Sequence, residues 1–296
     1  MRPVLFELPF VNLPIHSYGA MIVVGFLVTI WFGTREVRRR GLPNIVYDLG
    51  LVMLLGGIVG ARTFYVVLNS DDFVLPCAHP VTSEGVPPHV EGHFSWAESL
   101  KIWQGGLVFY GGAISGGLAA LFFLRWKRAP VLEFFDAIAP FIPVAMAFGR
   151  IGCVLNGCCF GSICAPNSSI GISYPQGVPG AYFLHLQQGL IPSDAVESLP
   201  VYPVQLFEAG HDLLICVLLL WYARGTTPRG AVFPLALILY AVGRFLLEYV
   251  RGDNLPIYLW GLTISQVVSL VMAILFLPLF VFSTCRSSKQ VSTRAT

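Results

Sequence analysis

The sequence predicts an all-α membrane protein of seven transmembrane helices, N-terminus outside the cytoplasm and C-terminus inside it. Three observations carry this. Of 296 residues, 55% are hydrophobic and 11% charged, against about 25% charged in soluble domains. The mean hydropathy is +0.72. Seven apolar runs, near 15–34, 46–68, 105–124, 132–155, 203–223, 230–250 and 261–283, are each close to the roughly 20 residues that cross a hydrocarbon core of about 30 Å. A single polytopic membrane domain over 1–285 and a polar cytoplasmic tail over 286–296 follow. A net charge of +2 argues against a nucleic-acid partner.

The elements run in order. Met1 to Pro14 is mixed, holds Pro3, Pro9 and Pro14 and shows no cleavable leader pattern, so the first span is expected to be retained. Arg35, Arg38, Arg39 and Arg40 follow it. The second span carries GGIVGAR, with Gly56, Gly57, Gly60 and Arg62, and leads into an outer connection, 69–104, with His79, His89 and His93. The third, WQGGLVFYGGAISGG, has glycine pairs at Gly105–Gly106, Gly111–Gly112 and Gly116–Gly117 and is closed by Arg125, Lys127 and Arg128. The fourth holds Asp136 and Arg150 and opens into a second long connection, 156–202, rich in Gly, Pro and Ser. Glu208 lies in the fifth span, before Arg224 and Arg229; Arg244 and Glu248 lie in the sixth; Arg286, Lys289 and Arg294 follow the seventh. Every second connection is thus basic, while the other side has only Arg2, Lys101 and Arg251 near its borders. Cytoplasmic loops are the basic ones, which sets the orientation and makes the outer face, with its long connections, the working face.

Arg62, Arg150 and Arg244, with Asp136, Glu208 and Glu248, fall within apolar spans. Such charges are costly in lipid and face a bundle interior in pairs. Arg244 and Glu248, four residues apart on one helix face, form a structural pair on the simplest reading. Three arginines against three carboxylates, beside helix ends and glycines, favour a polar cavity that binds an anion, and guanidinium forks suit a phosphate. The glycines fit two uses: close helix approach, or backbone lining a head-group cavity.

The segment FGRIGCVLNGCCFG, Phe148 to Gly161, adds Cys153, Cys158 and Cys159, with Cys164 just beyond. A C-x4-C-C-x4-C spacing lacks the paired knuckles of a zinc site, so no metal is expected. Disulfides at the outer face fit better, with Cys77 as a further participant. Cys216 reads as an ordinary membrane-core residue, and Cys285 is expected to stay reduced at the inner face.

FGRIGCVLNGCCFG resembles the signature of the prolipoprotein diacylglyceryl transferases, G-R-x-G-x-x-x-N-G with a glycine four residues later. HSYGAMIVVGF, IVGARTFYVV, WQGGLVFYGGAISGG, FFDAIAPFIPVA, YPVQLFE and YAVGRFLLEYVRGD resemble further segments of that family in order. The resemblance implies a bacterial inner-membrane enzyme, needing no cofactor, that transfers the diacylglyceryl group of phosphatidylglycerol to the lipobox cysteine of a prolipoprotein signal peptide, forming a thioether and releasing glycerol phosphate. By the same resemblance, Arg150 and Arg244 bind the phosphate, Tyr18, Asn156, Tyr240 and Glu248 orient the head group and the arginines, and Arg62, Glu208 and Asp136 support the cavity. The chain departs from the pattern at Tyr110, where many members have histidine, and at Cys153 and Cys158, in place of asparagine and glutamate. Tyrosine, with an ordinary pKa of about 10, is a poor base for a thiol of about 8.5. Either the arginines lower the thiol pKa and Tyr110 donates a hydrogen bond to the phosphate, or the chain is a paralogue acting on another lipid or acceptor. A lipid-binding or transport protein is the alternative without chemistry; no inverted repeat supports a transporter, and no C-x-x-C pair supports a thiol oxidoreductase.

Overall fold

The computed structural model describes residues 4–8, 13–70, 74–76, 92–94, 99–100, 106–165, 168–178, 180–225, 227–253 and 259–292. Arg2, Cys77, His79, His89, Lys101 and Arg294 lie outside them. The chain divides into two compact units, Pro43–Val131 and the remainder, Met1–Leu42 with Leu132–Thr296.

In the larger unit a short hairpin, β1 (Val4–Leu8) and β2 (Leu13–His16), precedes helix α1 (Ser17–Arg39). The smaller unit holds α2 (Val46–Leu68), a second hairpin of β3 (Val74–Pro76) and β4 (Gly92–Phe94), and α3 (Phe109–Trp126). The larger unit continues with α4 (Val131–Ile138), α5 (Ile142–Asn156), α6 (Ala181–Gln187), α7 (Val204–Tyr222), α8 (Val232–Leu247) and α9 (Ile264–Ser292). Among the described residues, six segments are long and apolar enough to cross a membrane: Ser17–Arg39, Val46–Leu68, Val131–Asn156, Val204–Tyr222, Val232–Val250 and Ile264–Cys285. The third expected span is α3, 18 residues long and about 27 Å at 1.5 Å per residue; it is not among those six.

In the smaller unit α2 packs on α3 through small residues. A Cβ placed on Gly60 would overlap Ser115 and lie 2.7 Å from the Gly111 carbonyl, and one on Gly111 would lie 2.6 Å from Phe64. Of the two uses for these glycines, close helix approach accounts for both.

In the larger unit α1 packs on α5, α5 on α7, α7 on α8 and α8 on α9. The fourth span is not one helix. Pro140 and Pro143 each lack an amide donor, and a 3₁₀ turn at Ala139–Phe141 separates α4 from α5. Thr29 of α1 donates to the Phe141 carbonyl at 3.0 Å, and Phe32 stacks on Phe141. Ala139, Ile215, Leu219, Val232 and Ala236 form a buried apolar cluster around this step.

The segment between α5 and α7, legible in the sequence only as a connection, is a packed module. Phe160, Tyr174, Val178, Ala181 and Val201 form its core. Isolated bridges tie Ile163 and Ile172 to Val201, and Gly161 to Arg251 beyond α8. Among the described cysteines none is disulfide-bonded, so the expected disulfides are corrected: the module is held by its own core and main-chain hydrogen bonds.

Candidate functional site

Four of the six charges that fall in apolar runs, Arg150, Glu208, Arg244 and Glu248, meet at one place in the larger unit. Helix α7 carries Gln205, Glu208 and Asp212 at steps of three and four, a polar stripe on one face, and all three are buried. Helix α8 presents Tyr240 and Arg244, and the 3₁₀ turn that ends it presents Glu248. Arg150 comes from α5, with Arg251 just beyond the turn.

Glu208 is the common partner. Its Oε1 accepts from Arg244 Nη1 at 2.9 Å and lies 3.8 Å from Arg251 Nη1. Its Oε2 is 2.9 Å from Arg150 Nη1, close but not aligned as a hydrogen bond. The other two guanidiniums have further anchors. Arg244 Nη2 reaches Glu248 at 2.7 Å and the Ser265 hydroxyl at 3.0 Å, and Arg251 forks onto Asp253 at 2.6 and 3.1 Å. Burial works against the Arg251 charge, yet the Asp253 carboxylate outweighs it and holds the guanidinium protonated. Arg150, Glu208, His211, Asp212, Tyr240, Arg244 and Leu247 enclose a cavity of about 10 Å³, room for about one water.

The cluster also fixes a helix start. The Thr263 amide donates to Gln266 Oε1 at 3.1 Å and the Gln266 amide to Thr263 Oγ1 at 3.3 Å, a capping box at the N-terminus of α9. The Thr263 hydroxyl donates to Glu248 at 2.8 Å. Helices α5, α7, α8 and α9 are therefore tied by one network of ion pairs and charge-assisted hydrogen bonds, the latter the strong class of hydrogen bond.

Of the residues expected at the site, Arg150, Glu208, Tyr240, Arg244 and Glu248 come together. Tyr18 is partly exposed in the first turn of α1, against Gly152 of α5. Asn156, the last residue of α5, directs Nδ2 to Cys158 Sγ at 3.6 Å. Asp136 is a correction. It accepts the Gly230 and Phe233 amides at 2.6 and 2.9 Å, capping the first turn of α8, whereas Arg244 lies in its last; the twelve residue steps from Val232 to Arg244 span about 18 Å of helix. Arg62 and Tyr110 belong to the smaller unit. Arg62 is buried, donates to the Ser99 and Gly106 carbonyls at 2.7 and 3.2 Å and lies over the Tyr65 ring. Tyr110 stands half-buried in the first turn of α3, edge-on to Phe109. Sequence reasoning missed Asp212, His211, Asp253, Thr263 and Ser265, and read Arg251 only as a border charge.

The signature segment closes the site from the helix end. Gly157 caps α5 in the left-handed region, φ 74°, which suits glycine. Gly161 is pressed against Tyr202, whose carbonyl a Cβ would approach to 2.6 Å. Gln205 donates to the Cys158 carbonyl at 2.8 Å and to the Tyr174 hydroxyl at 3.0 Å. The thiols of Cys153, Cys158 and Cys159 point together, their sulfurs within 4.8 Å of one another. Hydrogen bonds from Cys153 and Cys159 favour the Cys158 thiolate, well below the usual thiol range.

Residues 3–282 match the family described as prolipoprotein diacylglyceryl transferase. The chain is 31% identical over 294 residues to the phosphatidylglycerol–prolipoprotein diacylglyceryl transferase of Clostridium tetani, covering 98% of this chain and 100% of that one. It is 32% identical over 268 residues to the protein of that name from Symbiobacterium thermophilum, 90% of this chain and 88% of the other, and 29% over 303 residues to that from Ralstonia pickettii, 96% and 94%.

Proposed function

The chain belongs to the prolipoprotein diacylglyceryl transferase family, and on that premise we propose that the arginine cluster around Glu208 is where it handles the phosphate of its lipid donor. The protein is a transferase of lipoprotein maturation, moving a diacylglyceryl group from phosphatidylglycerol to a prolipoprotein.

The acceptor is the lipobox cysteine. Its thiolate sulfur bonds to the glyceryl carbon that bears the phosphate, the C–O bond breaks, and glycerol phosphate leaves with the electron pair; the thiol proton goes to solvent. The phosphate carries one negative charge in the lipid and gains a second as the bond breaks. Cations at that oxygen therefore bind the transition state more tightly than the ground state, the condition for catalysis.

Arg150 is the guanidinium that meets the donor. It lines the cavity, and its ion pair with Glu208 lacks hydrogen-bond alignment, the observation that most supports this reading. Arg244 adds the second positive charge, and Glu208 and Glu248 hold it in place. Tyr240 and Asn156 orient the head group, and Tyr18 flanks the donor. Arg62 and Tyr110 enter through the family's motifs: Arg62 braces its own unit, and Tyr110, where other members have histidine, acts as a hydrogen-bond donor and not as a base.

The membrane arrangement is seven spans with α3 as the seventh, N-terminus outside, in the bacterial inner membrane. Arg38 and Arg39 in the last turn of α1 and Arg125 in the last turn of α3 support this orientation. It puts the C-terminal end of α8, and with it the arginine cluster, at the outer face where prolipoproteins arrive.

The test is transfer in a reconstituted membrane, with phosphatidylglycerol, a lipobox peptide and mass spectrometry for the thioether. The unmodified protein gives product. Arg150→Ala lowers the rate by about 10²–10³, the usual effect of removing one transition-state donor. Near-wild-type transfer by Arg150→Ala would remove the assignment. Tyr110→Phe and Tyr110→His separate a hydrogen-bond donor from a base: the reading expects Tyr110→Phe to lose rate and Tyr110→His to keep it.

A further inference from the structure

We propose that the thiols of Cys153, Cys158 and Cys159 form a binding site for one thiophilic cation, Zn²⁺ or Cu⁺.

The geometry is the first argument. The three sulfurs lie within 4.8 Å of one another. With metal–sulfur bonds of about 2.3 Å, three sulfurs around one ion stand roughly 3.8–4.0 Å apart. Closing the cluster takes less than about 1 Å of side-chain movement. The backbone is the second. The chain turns back on α5 at Gly157, and Cys159 then adopts φ 59°, a left-handed conformation uncommon for residues other than glycine. Strain of this kind persists where a function holds it, and here it brings a loop thiol back over the last turn of the helix. Spacing alone does not reveal the site, because the ligands are gathered by the reversal and not by a paired knuckle.

The number of thiols is the third argument. A disulfide uses two and leaves the third without a partner, whereas one ion uses all three. The set has no oxygen or nitrogen ligand, which selects soft and borderline cations over Mg²⁺ or Ca²⁺. A trigonal thiolate set suits Cu⁺; Zn²⁺ would take water in the fourth position. Each thiol gives up its proton on binding, so up to three protons are released per ion. The resulting negative charge is offset nearby, since Arg150 is in electrostatic reach of Cys153 and Cys159, and Arg251 of Cys159. Asn156 points an N–H at Cys158 Sγ, and Gln205 holds the Cys158 carbonyl at 2.8 Å, the outer support that orients metal ligands. Bound metal would clamp the end of α5 one turn beyond Arg150. The site stands independently of the transfer reaction.

The experiment uses the full chain in detergent, reduced with a phosphine and freed of metal. It is titrated separately with Zn²⁺, with Cu⁺, and with Co²⁺ as a coloured substitute for zinc, while alkylation of each cysteine is followed by mass spectrometry. One equivalent is expected to slow alkylation of Cys153, Cys158 and Cys159 together and leave Cys285 reactive, with a thiolate-to-cobalt charge-transfer band in the Co²⁺ arm. Competition between Zn²⁺ and Cu⁺ identifies the ion. Cys159→Ser weakens binding by more than about 100-fold, since even an outer-shell change costs about 10–100-fold, and Cys164→Ser leaves it unchanged. Alkylation of the three that no ion alters would overturn the proposal, and this arm needs no variant to fold. So would a disulfide joining two of them in protein alkylated directly in the membrane.

Discussion

Replacing Glu208 by glutamine keeps the shape of the side chain and removes the one negative charge that three guanidiniums share. At an effective dielectric of about 20, each contact at 2.9 Å is an attraction of about 5–6 kcal/mol and the one at 3.8 Å about 4 kcal/mol. These are gross values, which the cost of burying the charges largely offsets. Removing one member of a buried pair leaves its partner uncompensated and costs about 3–5 kcal/mol; we expect Glu208→Gln to fall in that range, because Glu248 and Asp253 still hold two of the three arginines. The assay is denaturant unfolding in detergent, followed by tryptophan fluorescence. A second arm adds inorganic phosphate. With Glu208 neutral the guanidiniums form an anion site, and a ligand at about 100 times its Kd stabilises by about 2.7 kcal/mol, so phosphate should rescue the variant more than the wild type. If Glu208→Gln unfolds within about 0.5 kcal/mol of wild type, as a surface substitution does, the arginines are solvated and the shared-counterion argument fails.

Asp136→Ala removes the cap on α8 and should cost about 0.5–2 kcal/mol in the same unfolding assay, while transfer per folded molecule is retained. Gly60→Ala drives a methyl into Ser115 and the Gly111 carbonyl, and overpacking of this kind costs about 1–3 kcal/mol; a lowered Tm, with α2 and α3 cleaved sooner by protease, would show it. His185 is buried with no hydrogen-bond partner for Nδ1, and burial lowers its pKa. The folded state therefore binds the proton less readily than the unfolded one. Its contribution is full above the unfolded pKa of about 6.5 and is lost as the pH falls below it. Unfolding at about pH 7.5 and about pH 5.5 should show that loss in the wild type and a smaller one in His185→Phe.

Helix positions were legible because an apolar run of membrane length leaves little other choice. The third span was set too early: Gly106 adopts φ 71°, a turn conformation, and α3 starts only at Phe109. The fourth read as continuous because its hydrophobicity is, whereas Pro140 and Pro143 decide its backbone. The module between α5 and α7 was opaque, since Tyr174, Tyr182 and Val201 recur with no helical or strand period. At the site, Arg150, Glu208, Arg244 and Glu248 stood out as charges in apolar surroundings. Arg251 and Asp253 lie just past a span, where charge is ordinary. Asp212 had a signal, one helical turn from Glu208. Asp136 shows the limit of the inference: a charge in an apolar segment needs a partner, but sequence does not say whether that is a guanidinium or the free amides of a helix start.

The dependence of Arg150 on the Glu208 carboxylate also constrains how the chain is made. Arg150 emerges from the ribosome well before Glu208, and at about 5–20 residues per second the interval is a few to roughly ten seconds. During it, a helix bearing a guanidinium must be held by the insertion machinery, or rest at the bilayer surface, until α7 arrives. Slowing translation between α5 and α7 would lengthen that exposure and send more chains to quality-control proteases.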